Sequence, residues 1–321
     1  MTQYLILLFI SFFSLSSVLG NVEPKASIVE ATSSQSVGLS ATPTPELSPS
    51  LTPEVSVEKK EPIISLAEVC TSQFKKFPGK FENDLLTKVC NKVLVEESCK
   101  STEGVPIFHY NKKGTEKEPQ NILVFSLIHG DETPAGSVVR FWMERLEKIE
   151  PRNNWRVVPI LNPDGLKYKT RVNANKVDIN RNFPTKDWTE KALSYWRKDT
   201  NSNPRRFPGI AAASEPETNC ALKHIQDFKP DFIVSIHTPL KVLDFDGPKI
   251  KPPKFDYLPW KSLGNFPGSL GRLMWLEQNI PVLTLEAKED FPTNSKPWIQ
   301  LQDIIGYLVS LESKNKNTIK K

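Results

Sequence analysis

From about residue 106 onward, apolar residues occur in two patterns, short uninterrupted runs and helical spacing, which alternate along the chain. Short runs rich in branched side chains and bounded by turn residues predict buried strands, and apolar residues three or four positions apart predict helices. The predicted strands are 106–110, 121–128, 155–161, 231–236 and 281–285, and the predicted helices are 134–149, 215–228 and 298–311. This alternation predicts an α/β domain in which a twisted, mixed, mostly parallel sheet lies between helices.

Three of the predicted strands end at side chains of the kind that bind metals. His129 follows the run 121–128, with Glu132 three residues later, while His237 and Glu286 follow two further strands. Open α/β sheets place their ligands at the carboxyl ends of the strands, so we expect these side chains to converge. Two histidines and one carboxylate around an open position form a catalytic zinc arrangement. Asp131 could compete with Glu132 as the carboxylate ligand.

The first twenty residues have the pattern of an export signal. Residues 5–19 are apolar or hydroxylated and uncharged, a run with the length of a signal-peptide core and too short for a comfortable membrane span. Small residues at Val18 and Gly20 predict cleavage before Asn21, although no Lys or Arg precedes the run, which leaves an uncleaved anchor as the alternative. We therefore expect an exported protein, periplasmic or extracellular.

Composition divides the remaining chain into a linker, a small extension and one large domain. Residues 21–61 are rich in Pro, Ser and Thr with almost no aromatic residues, which predicts a disordered linker. Residues 62–100 have helical periodicity and predict a helical N-terminal extension, too small for a core of its own. A catalytic domain is expected over 101–312, with a basic tail over 313–321.

Four cysteines in an exported chain are compatible with two disulfides and three pairings. Cys70, Cys90 and Cys99 lie in the extension and Cys220 far beyond it. Either all four pair, in which case one bridge joins the extension to the domain, or one local bridge forms and Cys220 is a buried thiol.

The charge of the chain does not indicate a nucleic-acid partner. The sequence has 42 Lys and Arg residues against 37 Asp and Glu residues, a formal net charge of +5, and the two signs are interspersed without a long basic block.

Seven short motifs occur in the order and spacing of the zinc carboxypeptidase superfamily, which the region 104–311, about two-thirds of the chain, therefore resembles. They are HGDE (129–132), NPDG (162–165), TR (170–171), VDINRNFP (177–184), SEPET (214–218), SIH (235–237) and TLE (284–286). HGDE and SEPET, together with HTPL (237–240) and FPGSLG (266–271), are most similar to the bacterial murein peptide amidase subgroup.

This resemblance implies a role for each residue of the site. It implies one zinc ion per chain, held by His129, Glu132 and His237, with Glu286 as the general base and then the general acid. It further implies that Arg171 stabilises the oxyanion and that Asn180 and Arg181 bind a substrate carboxylate. Taken singly, both arginines could be solvated loop residues and Asn180 a turn residue. Asp178 is expected to orient a ligand or its loop.

The resemblance also implies a substrate, a peptidoglycan peptide cleaved at the γ-D-glutamyl–diaminopimelate bond. No tyrosine matches the substrate clamp of digestive carboxypeptidases, since the context of Tyr257 differs. The loop 240–271 is expected to wall the pocket, and Arg272 or Asp246 to meet the extra charges of diaminopimelate. Two alternatives stay open: a carboxypeptidase or N-acyl amino acid deacylase with a non-murein substrate, and a non-catalytic wall-binding module.

Overall fold

The computed structural model describes residues 64–288 and 296–319, with side chains up to residue 310. The predicted signal segment and linker therefore lie outside the described residues, and the predicted domain boundaries stay predictions. Within the described part, no helix combines the length and apolarity needed to cross a membrane.

The centre of the fold is a seven-stranded mixed sheet. Its strands are β1 (Leu94–Lys100), β2 (Pro106–Lys112), β3 (Asn121–Ser126), β4 (Asn154–Val158), β5 (Phe232–His237), β6 (Val242–Asp246) and β7 (Val282–Glu286), in the order β1-β2-β4-β3-β5-β7-β6. The four inner strands β4, β3, β5 and β7 are parallel, and β1, β2 and β6 pair antiparallel at the two edges. The predicted α/β fold is confirmed, but the sequence pattern did not predict the edge strands β1 and β6.

Seven α-helices accompany the sheet within the described residues. They are α1 (Leu66–Phe74), α2 (Asn83–Cys90), α3 (Thr133–Lys148), α4 (Pro163–Tyr168), α5 (Leu193–Lys198), α6 (Pro216–Phe228) and α7 (Lys296–Ile319). Apolar residues of α1, α2, α3 and α7 form one buried cluster, and those of α6 belong to a second. Because successive side chains of a strand point to opposite faces, the inner strands supply both clusters. In β5, for example, Val234 joins the first cluster and Ile233 the second.

The predicted N-terminal extension is helical through α1 and α2, and its last residues form β1, which joins the sheet. Disulfides link Cys70 to Cys90 and Cys99 to Cys220. The second bridge fastens β1 to α6, so the alternative of a free Cys220 is wrong. The buried guanidinium of Arg140, on α3, donates to carbonyl oxygens at the end of α1 and just beyond it. The extension is therefore bound to the domain by a covalent bond and by hydrogen bonds.

Candidate metal centre and substrate pocket

A sharp bend at the end of β3 carries the first predicted ligand. Leu127 adopts a left-handed backbone with φ of 43°, which is costly for a non-glycine residue, and its carbonyl accepts from the backbone N–H of Asn162. The chain then turns so that His129 is buried. A Cβ on Gly130 would lie 2.0 Å from the carbonyl carbon of Gly165. Glycine at 130 thus lets the two loops approach closely.

Two further predicted residues are brought together by strand pairing. His237 ends β5 and Glu286 ends β7, and the two are register partners in the parallel pair. Both are more than nine-tenths buried. Alternation along β5 puts His237 on the same face as Ser235 and Ile233, the face that carries the second apolar cluster.

The three predicted metal ligands converge on one point. Ligand atoms of His129, Glu132 and His237 all lie within 4.8 Å of one another. The Nδ1 atoms of the two histidines are 3.1 Å apart, and the Glu132 carboxylate oxygens lie 2.8 Å from Nδ1 of His129 and 2.9 Å from Nδ1 of His237. The expected convergence at the carboxyl edge of the sheet is therefore present.

The outer nitrogen of each imidazole is held by a partner of its own. Nε2 of His129 donates to Oδ1 of Asp178 over 3.1 Å, and Nε2 of His237 lies 2.8 Å from Oγ of Ser235. With the proton on Nε2, each Nδ1 presents a lone pair to the shared point. Two imidazole nitrogens and a carboxylate directed in this way are a donor set that fits zinc.

Asp178 connects this centre to Arg171. The arginine contacts Oδ2 of Asp178 through Nε at 3.1 Å and Nη2 at 3.0 Å, and its Nη1 lies 3.5 Å from Glu132. Burial disfavours a charged Asp178, but Arg171 and His129 outweigh it and hold the pKa of this carboxyl well below its usual range. Asp178 is therefore ionised and fixes one imidazole and one guanidinium at once. Sequence reasoning expected it to orient a ligand or a loop, and it contacts both.

Glu286 lies beside the three ligand-type residues and lines the same pocket. Its Oε2 accepts from the backbone N–H of Leu240 over 3.3 Å. Burial raises the pKa of the Glu286 carboxyl, and the nearby charge of Glu132 adds to the rise, against the opposing effect of His237. A carboxylate with a raised pKa is better suited to take up and return a proton.

Arg181 places a buried cation in the pocket. Its side chain is 7% exposed, and its guanidinium carbon lies 4.6 Å from the ring centroid of Phe266. Nη1 donates to the carbonyl of Asn180, while Nε is buried without a hydrogen-bond partner among the described residues. Oδ1 of Asn180 accepts from Leu270, which leaves the amide N–H groups of Asn180 to donate. These donors suit an anionic group such as a carboxylate.

The two residues proposed to meet diaminopimelate differ in position. Arg272 is bound to Asp187, with Nε 3.1 Å from Oδ1, whereas Asp246 lines the pocket together with Asp244. Sequence reasoning missed Asp244, Ser235 and Phe266. The pattern of VLDFD (242–246), four residues after SIH, was a usable signal for β6 and its two carboxylates.

Comparison with known proteins decides the family. A model of the zinc carboxypeptidase family matches residues 83–246, just over half of the chain, and this region includes the three predicted metal ligands. The chain belongs to the zinc carboxypeptidase family. This zinc carboxypeptidase homologue is therefore a hydrolase of the metallopeptidase class.

Two curated relatives share the name murein peptide amidase A. The zinc carboxypeptidase homologue is 30% identical to the protein of Vibrio campbellii over 199 residues. This alignment covers 58% of this chain and 76% of the Vibrio protein. It is 32% identical to the protein of Escherichia coli over 148 residues, and this alignment covers 45% of this chain and 59% of the Escherichia coli protein. The second match thus spans less than two-thirds of the relative.

A solved structure supports the fold. Bovine thrombin-activatable fibrinolysis inhibitor superposes with a TM-score of 0.54 at 16% identity, over 78% of this chain and 98% of that one. At this identity the likeness shows a shared fold and no more.

Proposed function

We propose that this protein is an exported zinc amidase or carboxypeptidase that hydrolyses peptidoglycan peptides at the γ-D-glutamyl–diaminopimelate bond. The observation that carries the proposal is the convergence of His129, Glu132 and His237 beside Glu286, in a pocket that also holds the buried cation of Arg181. The names of the curated relatives support murein as the source of the substrate.

His129, Glu132 and His237 would hold the zinc ion. When bound, zinc acts as a Lewis acid and lowers the pKa of water to near neutrality. Asp178 keeps the imidazole of His129 oriented, and Ser235 does the same for His237. Because Asp178 is a buried carboxylate 3.1 Å from Nε2 of His129, its negative charge also favours positive charge at the His129 side of the metal site. The protein thus supplies both the donor atoms and the contacts that fix them.

Glu286 is the group that would move the proton. Its raised pKa lets it accept a proton from the attacking water and return it to the nitrogen of the leaving amine. Arg171 is held by Asp178 and faces the same pocket, where its guanidinium would stabilise the oxyanion that develops on the scissile carbonyl. Removal of a donor of this kind costs other enzymes about 3–4 kcal/mol of transition-state stabilisation.

Arg181 and Asn180 would bind the free carboxylate of the leaving residue. The buried guanidinium has an unsatisfied Nε, and a planar arginine can bind a carboxylate with two parallel hydrogen bonds. This contact would select a terminal residue with a free carboxylate and place its amide bond at the catalytic groups.

Two disulfides support the proposed export. Cys70–Cys90 and Cys99–Cys220 use all four cysteines of the chain, and structural disulfides form and persist in oxidising compartments.

The test is mass spectrometry of products from a substrate panel incubated with the zinc-loaded chain. The panel contains L-alanyl-γ-D-glutamyl-meso-diaminopimelate, ordinary peptides with free C-termini, and N-acyl amino acids. Release of free diaminopimelate is expected. Turnover of ordinary peptides alone would instead identify a general carboxypeptidase, turnover of N-acyl amino acids alone a deacylase, and binding without turnover a wall-binding module.

A further inference from the structure

Two histidines outside the candidate metal centre lie side by side in the interior. His109 is on β2 and is 2% exposed, and His224 is on α6 and is fully buried. Their ring centroids are 4.9 Å apart, close to the 4.8 Å that separates the rings of His129 and His237. The described residues that line the substrate pocket include neither His109 nor His224. The proposed hydrolysis therefore gives this pair no role.

A carboxylate lies beside the two imidazoles. Oε1 of Glu96, on β1, is 4.0 Å from Nε2 of His109. One ligand-type atom from each of Glu96, His109 and His224 lies within 4.8 Å of the other two, a spacing that the candidate metal centre also satisfies. The side chain of Glu96 is 29% exposed and forms the solvent-side end of the group. Three segments that are distant in sequence thus bring together two imidazoles and one carboxylate.

Each of the two imidazoles has a nitrogen without a protein partner. Nδ1 of His109 and Nδ1 of His224 are buried and have no hydrogen-bond partner among the described residues. A buried polar atom without a partner is costly, and a metal ion is a partner that an imidazole lone pair can take. Burial is the main reason that the pKa of His109 falls to about 4 and the pKa of His224 to about 3. At neutral pH both rings are therefore uncharged, the form in which histidine binds metals.

A disulfide holds two of the three segments in place. Cys99, on β1, is bonded to Cys220, on α6, and Sγ of Cys99 lies 3.7 Å from Nε2 of His224. This covalent bond keeps the strand that carries Glu96 next to the helix that carries His224. The donor atoms are thus close together before any ion arrives.

Arg156 lies beside the carboxylate of this group. Its Nη1 is 3.9 Å from Oε1 of Glu96, beyond hydrogen-bond distance, while its Nε donates to Oδ1 of Asn111. The carboxylate oxygen is therefore not taken up by a hydrogen bond to the guanidinium. The positive charge of Arg156 weakens cation binding at this distance, so we expect a lower affinity than at a site without a neighbouring arginine.

We propose that Glu96, His109 and His224 form a second metal site, which takes a divalent transition-metal ion such as zinc. Two imidazole nitrogens and one carboxylate oxygen are a donor set that zinc uses, and water can complete the coordination from the exposed side of Glu96. The ion would join β1, β2 and α6, of which the disulfide joins only β1 and α6. This site is independent of the proposed hydrolysis, because it shares no residue with the candidate metal centre.

The experiment is equilibrium dialysis of the full chain against zinc chloride, with the bound metal counted by plasma mass spectrometry. The wild type is expected to bind about two zinc ions per chain, and His129→Gln and His224→Gln about one each, because each variant disables one site. Glu96→Gln keeps both imidazoles and should weaken binding of the second ion at least about 10-fold, since loss of even a group that orients a ligand costs that much. The matched control is Glu97→Gln, a change at the exposed neighbouring residue, which should bind both ions as the wild type does.

The outcomes separate this inference from the proposed function. About one zinc per chain in the wild type, kept by His224→Gln and lost by His129→Gln, would overturn the inference and leave the proposed function standing. About one zinc per chain, lost by His224→Gln and kept by His129→Gln, would support the inference and overturn the proposed zinc hydrolase. Thermal unfolding of the metal-free variants identifies any loss of folded protein, and if His224→Gln does not fold, Glu96→Gln decides. Unchanged binding of both ions by Glu96→Gln would overturn the inference.

Discussion

Asp178 joins two residues of the candidate metal centre, His129 and Arg171. It is fully buried and makes four contacts with hydrogen-bond donors: two with Arg171 at 3.0 and 3.1 Å, one with Nε2 of His129 at 3.1 Å, and one with the backbone N–H of Asn180 at 3.0 Å. Asp178→Asn keeps the shape of the side chain but replaces one acceptor oxygen by an NH₂ donor. Either Arg171 or His129 must then face a donor, and the buried negative charge is lost.

The expected cost follows from these contacts. Leaving one partner of a buried ion pair uncompensated costs about 3–5 kcal/mol, and we expect the lower end because Arg171 stays 3.5 Å from Glu132. Loss of a contact that orients a ligating histidine typically lowers metal affinity by about 10- to 100-fold. We therefore expect Asp178→Asn to lose about 3 kcal/mol in the free energy of unfolding and to bind zinc 10- to 100-fold more weakly.

Urea unfolding of the metal-free protein and zinc competition against a chelator measure the two effects separately. The matched control is Asp131→Asn, because Asp131 lies next to Glu132 but pairs with Arg205, whose side chain is 59% exposed. That pair is worth at most about 1 kcal/mol. An Asp178→Asn protein with wild-type zinc affinity and wild-type stability would refute the reasoning.

Three further outcomes are expected. Gly130→Ala should destabilise the fold by several kcal/mol and weaken zinc binding, because its Cβ would overlap the backbone of Gly165 at 2.0 Å. Denaturant unfolding measures the stability and zinc titration measures the affinity. Wild-type values of stability and affinity would contradict this prediction. Burial raises the pKa of Glu144 to about 7, above its unfolded value of about 4.5, so its ionisation opposes folding progressively as the pH rises from 4.5 to 7. Glu144→Gln should therefore be more stable than wild type at pH 8 by up to about 3 kcal/mol and equal to it at pH 4, and a pH-independent difference would count against this. Removing the Cys99–Cys220 bridge, which spans 121 residues, should lower the free energy of unfolding by about 5 kcal/mol in the chain-entropy estimate. A variant with both cysteines replaced by serine that unfolds at the wild-type urea concentration would contradict this prediction.

The sequence was most informative about the inner strands and about the residues at their carboxyl ends. The inner strands are continuous apolar runs, and their carboxyl ends had to meet at one edge, so the convergence of His129 with His237 could be predicted from the residues alone. The roles of Arg171 and Asn180 came from the family resemblance, since arginine and asparagine on a loop are common without function.

The sequence was least informative about the two edge strands β1 and β6 and about the pairing of the cysteines. β1 belongs to a segment with helical spacing, and it becomes a strand because β2 offers a free edge and Cys99 is bound to Cys220. β6 lies in a proline-rich region, and it forms by pairing with β7. The pairing of the cysteines does not follow from local pattern either, because it is a tertiary contact.

We propose that His129, His237 and Glu132 bind zinc while Glu286 moves the proton. The most direct test is to measure, on the same preparations, the zinc content and the release of diaminopimelate by wild type and Glu286→Gln. We expect Glu286→Gln to retain about one zinc per chain and to release no measurable diaminopimelate, because the ligands are intact and the base is lost. Hydrolysis by Glu286→Gln at the wild-type rate, or full activity of the metal-free wild type, would contradict the account.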